Sequence, residues 1–155
     1  MGMPKPGEPH IKLKLLAGEW NGEEQIKPSP FDPKGGVAIG QVKNRLALDG
    51  FVVIQDYEQE RDGRVNFHGH GIFTWDQTEQ CYVLYWFDSM GMPPDRFKGS
   101  FENKVLTLVN KGMQGHFRAV FDFNLESGYL YRMDVSPDGT NWSNFIEGKY
   151  TRVGA

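Results

Sequence analysis

Residues 51–75 read FVVIQDYEQERDGRVNFHGHGIFTW, two runs rich in Val, Ile, Phe and Tyr that meet at Asp62-Gly63. Glycine supplies the positive φ that a tight hairpin turn needs, so this stretch predicts strands over about 51–60 and 64–75. Side chains alternate faces along a strand. In the first strand Phe51, Val53, Gln55 and Tyr57 share one face, while Val52, Ile54, Asp56, Glu58 and Glu60 share the other. In the second, Asn66, His68, His70, Ile72 and Thr74 oppose Val65, Phe67, Gly69, Gly71, Phe73 and Trp75. Neither face of that second strand is plainly a solvent face.

The same signals continue outward in both directions. Ser127-Gly128 and Asp138-Gly139 are further hairpin tips, and turns recur about every 8–12 residues. Strands are expected at about 18–27, 36–48, 51–60, 64–75, 80–88, 96–101, 104–110, 115–125, 129–136 and 141–152. A meander of about ten strands has two exposed edges unless it closes, and closure alone removes edges. The chain therefore reads as all-β: an up-and-down antiparallel barrel, with a sandwich as the alternative. The longest irregular pieces, Pro28 to Gly36 and Asp88 to Asp95, are surface loops or the rim of a pocket.

One stretch looks helical. His10 to Ala17 places Ile11, Leu15 and Leu16 opposite Lys12 and Lys14, and at about two turns it must cap something rather than stand alone. Residues 1–9 before it form a Pro- and Gly-rich flexible tail, and 10–155 form a single barrel domain. A chain of 155 residues buries enough surface to need neither disulfide nor structural metal. With 17 Lys+Arg against 20 Asp+Glu it lacks the basic excess of a nucleic-acid binder, and no apolar run is long enough for a spanning helix. The start carries no secretory signal, and Cys81 is the one cysteine, so the expected location is the cytoplasm. Cys81 itself reads as a small strand residue, without a neighbouring charge to stabilise a thiolate.

Gly18-Glu19-Trp20, where the short helix runs into the first strand, resembles the Gly-x-Trp element that opens the barrel of lipocalins and other calycins. That resemblance implies a tryptophan closing the barrel floor with a last-strand arginine over it, roles that fall to Trp20 and Arg152. Leu48-Asp49-Gly50-Phe51, Gly69-His70-Gly71, Tyr85-Trp86-Phe87-Asp88-Ser89 and Ser136-Pro137-Asp138-Gly139-Thr140-Asn141-Trp142 complete an ordered set of motifs from His10 onward. Together they resemble the uncharacterised bacterial family called domain of unknown function fifteen-seventy-nine. The resemblance implies a calycin-like barrel and supplies no substrate. Some calycin relatives bind haem, but an axial histidine near the C-terminal strands is wanting, since none of the four histidines lies beyond His116.

Small-ligand barrels often have a polar and aromatic lumen. On that basis Gln55, Tyr57, His68, His70, Trp86, Asp88, His116 and Arg118 are expected inside, with Tyr131 and Phe145 lining the cavity. An inward Arg118 needs a partner, Glu147 or Asp88, or else binds a ligand carboxylate or phosphate; a solvated outward Arg118 is the other reading. His68 and His70 point the same way and with Asp88 or His116 form a weak candidate for a divalent metal, although no local spacing fixes a third ligand. Gly69 and Gly71 suit a bent strand or a close backbone approach. No phosphate-binding loop, dinucleotide fingerprint, nucleophile elbow or His-Glu-x-x-His helix is present.

Three functions remain open. The first is a small-molecule binding barrel for an apolar or anionic ligand, anchored at Arg118 or His70. The second is a metal-assisted enzyme using His68, His70 and Asp88; the third is a filled structural or interaction barrel. No cofactor is expected, nucleic-acid and membrane partners are not expected, and a homodimer through exposed strand aromatics is open.

Overall fold

A computed structural model of the chain describes residues 2–112 and 115–154; Met1, Met113, Gln114 and Ala155 lie outside the described residues. Ten strands follow in chain order: β1 (Gly18–Ile26), β2 (Gly36–Ala47), β3 (Val52–Arg61), β4 (Arg64–Asp76), β5 (Cys81–Asp88), β6 (Asp95–Glu102), β7 (Val105–Gly112), β8 (Gly115–Asp122), β9 (Gly128–Ser136) and β10 (Ser143–Arg152). Each pairs antiparallel with its chain neighbour, and β1 pairs with β10, so the sheet closes on itself. This is the up-and-down barrel, and the sandwich is excluded.

Where strand ends differ from expectation, a side chain or a turn intervenes. β10 starts at Ser143 because the Asp138 carboxylate accepts the N–H groups of Thr140 and Asn141 and holds them in a turn. β8 stops at Asp122, whose carboxylate accepts the Asn124 N–H. Leu48 and Asp49 take positive φ values of 51° and 58°, which turns the chain between β2 and β3.

The N-terminal segment closes one end, here the lower end. Helix α1 (Glu8–Lys12) starts two residues earlier than expected, because Pro9 fits the first helical turn, where its missing N–H costs nothing. Pro9 therefore belongs to the helix rather than to a free tail, and its carbonyl accepts a 2.7 Å hydrogen bond from the Tyr82 hydroxyl. After Lys12 the chain tightens into a 3-10 turn, Leu13–Leu16. That changes which side chains are buried. A three-residue period aligns Leu13 with Leu16, both fully buried, and leaves Ile11 exposed. Each buried leucine contributes about 2 kcal/mol.

Trp20 continues this floor. Its indole N–H donates to the Leu16 carbonyl at 3.0 Å, and the Arg152 guanidinium lies 4.3 Å from its ring centroid, a cation–π contact of about 1 kcal/mol. Gly18 has φ 132°, and a Cβ there would collide with that guanidinium, which gives both glycine and tryptophan of the Gly-x-Trp element a physical reason. Above the floor, Val53, Phe73, Leu84, Phe97, Leu106, Leu108, Phe121 and Tyr129 fill the lower half of the barrel. No helix among the described residues is long and apolar enough to cross a membrane.

Candidate functional site at the open end

The upper end is built differently. The two irregular loops of the sequence both lie there, one joining β1 to β2 and the other β5 to β6. In the first, Ser29 and Asp32 form an isolated bridge, and Phe31 folds over the mouth onto Phe117 and Phe145, with ring centroids 5.4 and 5.9 Å away. Arg61 at the end of β3 ties the loop down through an ion pair to Asp32 and a 2.6 Å hydrogen bond to the Gly35 carbonyl.

Inside the mouth stands a carboxylate. Glu24 alternates in phase with Trp20 and Gly22 on β1, so it points inward, and it is 1% exposed. It accepts hydrogen bonds from the Tyr57 hydroxyl at 2.7 Å, from Gln59 Nε2 at 2.9 Å and from the Tyr150 hydroxyl. All three partners are neutral donors. Gly40, Gly22 and Gly148 make the space: a Cβ at Gly40 would strike the Tyr150 hydroxyl, and one at Gly22 would lie 2.6 Å from its ring. Burial, then the Glu24 charge, raises the Tyr57 and Tyr131 phenols well above the ordinary tyrosine range. Both residues are nonetheless partly exposed, and their side chains point into the barrel.

Aromatic rings complete the wall. Tyr57 lies 6.1 Å from Phe67 and 6.2 Å from Trp86. Trp86 lies flat over Gly69 and Gly71, and a Cβ at Gly69 would overlap its ring, while one at Gly71 would sit 2.9 Å from Leu84. The Gly-His-Gly unit is thus shaped by an indole lying on the strand, rather than by a bend or another backbone. Asp88 accepts the Trp86 indole N–H at 2.9 Å on the rim. Asp95 pairs with Trp86 across β5 and β6 and therefore shares its inward face. Partial burial, then the nearby Asp88 charge, raises the Asp95 carboxyl.

Of the residues expected here, Gln55, Tyr57, Trp86, Asp88, Tyr131 and Phe145 do gather on the lumen side or its rim. Five do not. His68 and His70 stand on the outer face, His70 paired with Asp56 at 2.8 Å and His68 facing Glu58 at 3.9 Å. They alternate with Gly69 and Gly71, and it is the glycine face that turns inward to receive Trp86. The wall of the barrel separates both histidines from Asp88, so the set drawn for a metal does not assemble. Among the described residues no three His, Cys, Asp or Glu side chains gather as a metal site.

Arg118 and His116 are likewise outside. Arg118 donates to Asp134 through Nε at 3.1 Å and Nη2 at 2.9 Å and lies 4.3 Å from the Trp142 ring centroid. Its partner is therefore Asp134, not Glu147 or Asp88. His116 sits edge-on to the same tryptophan. The β9–β10 loop roofs this part of the outer wall, so a charge can be half-buried without being in the lumen. Glu147 is exposed and pairs in register with Gln25 and Arg132. A bulge between Asn144 and Ile146 breaks the parity that linked Phe145 to Glu147.

Glu24, Gln59, Tyr150, Phe31 and Phe117 stand at this end without being expected there. Glu24 could have been found by counting in twos from Trp20, since a charged residue in phase with a floor tryptophan must point inward. Phe31 sits in a Pro-rich loop and has no such signal.

The closed barrel is shared with solved structures of low identity. Rv2717c from M. tuberculosis superposes with a TM-score of 0.68 at 13% identity, covering 94% of this chain and 98% of that one. The S-type phycobiliprotein lyase CPES from Guillardia theta gives 0.61 at 8% identity, covering 97% and 99%. At such identities the likeness shows the calycin-like fold alone. No curated protein matches the chain. The family model described as Protein of unknown function (DUF1579) matches residues 5–152, nearly the whole barrel, and the chain belongs to that family.

Proposed function

We propose that the open end of the barrel binds a small, mainly apolar ring compound that is neutral or positively charged. The observation that carries this is the buried Glu24 carboxylate, held among the described residues by neutral donors alone, beside the inward-pointing aromatic residues Tyr57, Trp86 and Tyr131. Aromatic walls with a few placed polar groups are the usual make-up of a small-molecule site. Among the described residues the inward charges at this end are Glu24, Asp88 and Asp95, and the rim cation Arg61 is already engaged by Asp32. An anion would meet repulsion here, and the anchors expected for it, Arg118 and His70, lie outside. The likeness to a phycobiliprotein lyase is compatible with ligand binding and names no ligand for this chain.

Thermal unfolding in the presence of naphthalene, 2-naphthyltrimethylammonium and naphthalene-2-sulfonate tests the reading. A ligand that binds only the folded state must raise Tm. The neutral and cationic probes are expected to raise it and the sulfonate is not. A preference for the sulfonate, or no shift with any probe, would refute it.

A filled structural barrel is the second reading, favoured by the lower half, where Leu13, Leu106, Leu108 and Val53 are sealed completely. Native mass spectrometry beside the denatured mass separates the two: a retained small molecule speaks for binding.

A further inference from the structure

A second concavity lies at the closed end, where α1 leans against the lower ends of β4, β5 and β6. It is a groove of about 240 Å³ lined by Trp75, Tyr82 and Phe101 from the strands and by Glu8, Pro9 and Lys12 from the helix. Trp75 and Tyr82 are register partners, while Gly99, opposite Tyr82 on β6, has no side chain and leaves the Tyr82 ring free to reach Phe101 two residues on. The ring centroids are 4.9 and 5.1 Å apart, with planes at 66° and 83°. Successive rings at such angles form a concave corner rather than a flat stack.

The helix is fastened over that corner. Tyr82 donates its hydroxyl to the Pro9 carbonyl at 2.7 Å, so Glu8 and Lys12, one turn apart, face the groove from opposite sides of Pro9. Among the described residues no ion pair engages either of them. Burial, then the Glu8 charge, raises the Tyr82 phenol, so the carboxylate acts on the ring at the floor. The face of an aromatic ring carries negative potential and attracts cations, most usefully those whose charge is spread over methyl groups that also make apolar contact. We propose that this groove is a second binding site, for a small organic cation of the quaternary or methylated ammonium type, held on the three rings at the Glu8 end. Lys12 opposes such a ligand and confines it to that end. The inference does not depend on the reading of the open end.

NMR titration with choline and with its neutral carbon isostere 3,3-dimethylbutan-1-ol tests it, read at the indole N–H of Trp75 and, as a control at the other end of the barrel, of Trp86. Choline is expected to shift the Trp75 signal, to leave Trp86 in place, and to bind about tenfold more tightly than the isostere. Glu8→Gln should weaken choline about threefold or more and Lys12→Gln should strengthen it about twofold, with the isostere unaffected by either. Both positions are exposed, so neither variant is expected to compromise folding. Equal affinity for choline and the isostere, no saturable shift at Trp75, or a choline affinity indifferent to Glu8→Gln would each overturn the proposal. A shift at Trp86 alone would place the cation at the open end and overturn it as well.

Discussion

Tyr150, in the last strand, donates its hydroxyl to Glu24 in the first, across the seam where the barrel closes. The contact joins two functions of the same residues. It pins β10 to β1 from the inside, and it fixes one oxygen of the carboxylate while Tyr57 and Gln59 hold the other.

Removing that acceptor leaves three donors facing each other in a desolvated pocket. Glu24→Leu is expected to destabilise the protein by about 3 kcal/mol, since each stranded buried donor costs about 1 kcal/mol or more. Glu24→Gln should cost less, because its carbonyl still accepts. Tyr150→Phe should cost about 1–2 kcal/mol, and the Glu24→Leu, Tyr150→Phe double variant less than the sum. Urea unfolding of the four proteins gives the cycle; strict additivity would mean that the two side chains do not interact.

Alkaline titration reads the same pocket from another side. Burial raises Tyr57, Tyr129, Tyr131 and Tyr150, with the Glu24 charge adding to each. A raised phenol keeps its proton in the folded state when the unfolded chain has lost it. The stabilisation is thus complete below the unfolded tyrosine value near 10 and declines as pH rises beyond it, at about 1.4 kcal/mol per pH unit for each such proton. Tyr131→Phe deletes one of these protons, so its stability should fall by about one proton's slope less between pH 10 and 11.5. Parallel curves for variant and wild type would refute the shift at Tyr131.

The barrel was legible because hairpin glycines and alternation are local, and all ten strands fall where the chain's own punctuation puts them. The lumen was less so. Parity divides a strand into two faces but does not say which one is inner, and β4 shows the difficulty. Its polar His68 and His70 look like site residues, while its inward face is partly the absence of side chains at Gly69 and Gly71. Only the position of Trp86, one strand away, decides between them. Arg118 fails for a related reason: a roof over the outer wall, made by Trp142 from a distant loop, buries a charge where sequence alone allows just lumen or solvent. Phe145 and Glu147 were separated by a bulge, which shifts phase without any residue type that announces it.

Arg61 holds the loop at the open end of the barrel. Its guanidinium bonds both Asp32 and the Gly35 carbonyl, so one side chain fastens the second half of the loop that carries Phe31. The pair is about one-fifth exposed on each side, and partly solvated pairs of this kind contribute about 1 kcal/mol or less to global stability. Its larger effect is local, because Phe31 has only Phe117 and Phe145 beneath it once the tie is cut. Arg61→Met keeps the aliphatic stem and removes the bonds. Amide exchange at Phe31, Asp32 and Gly35 should then accelerate at least tenfold while Tm changes little, and naphthalene should dissociate faster by stopped-flow fluorescence. Unchanged exchange in these amides would show that aromatic packing, not Arg61, holds the loop over the mouth.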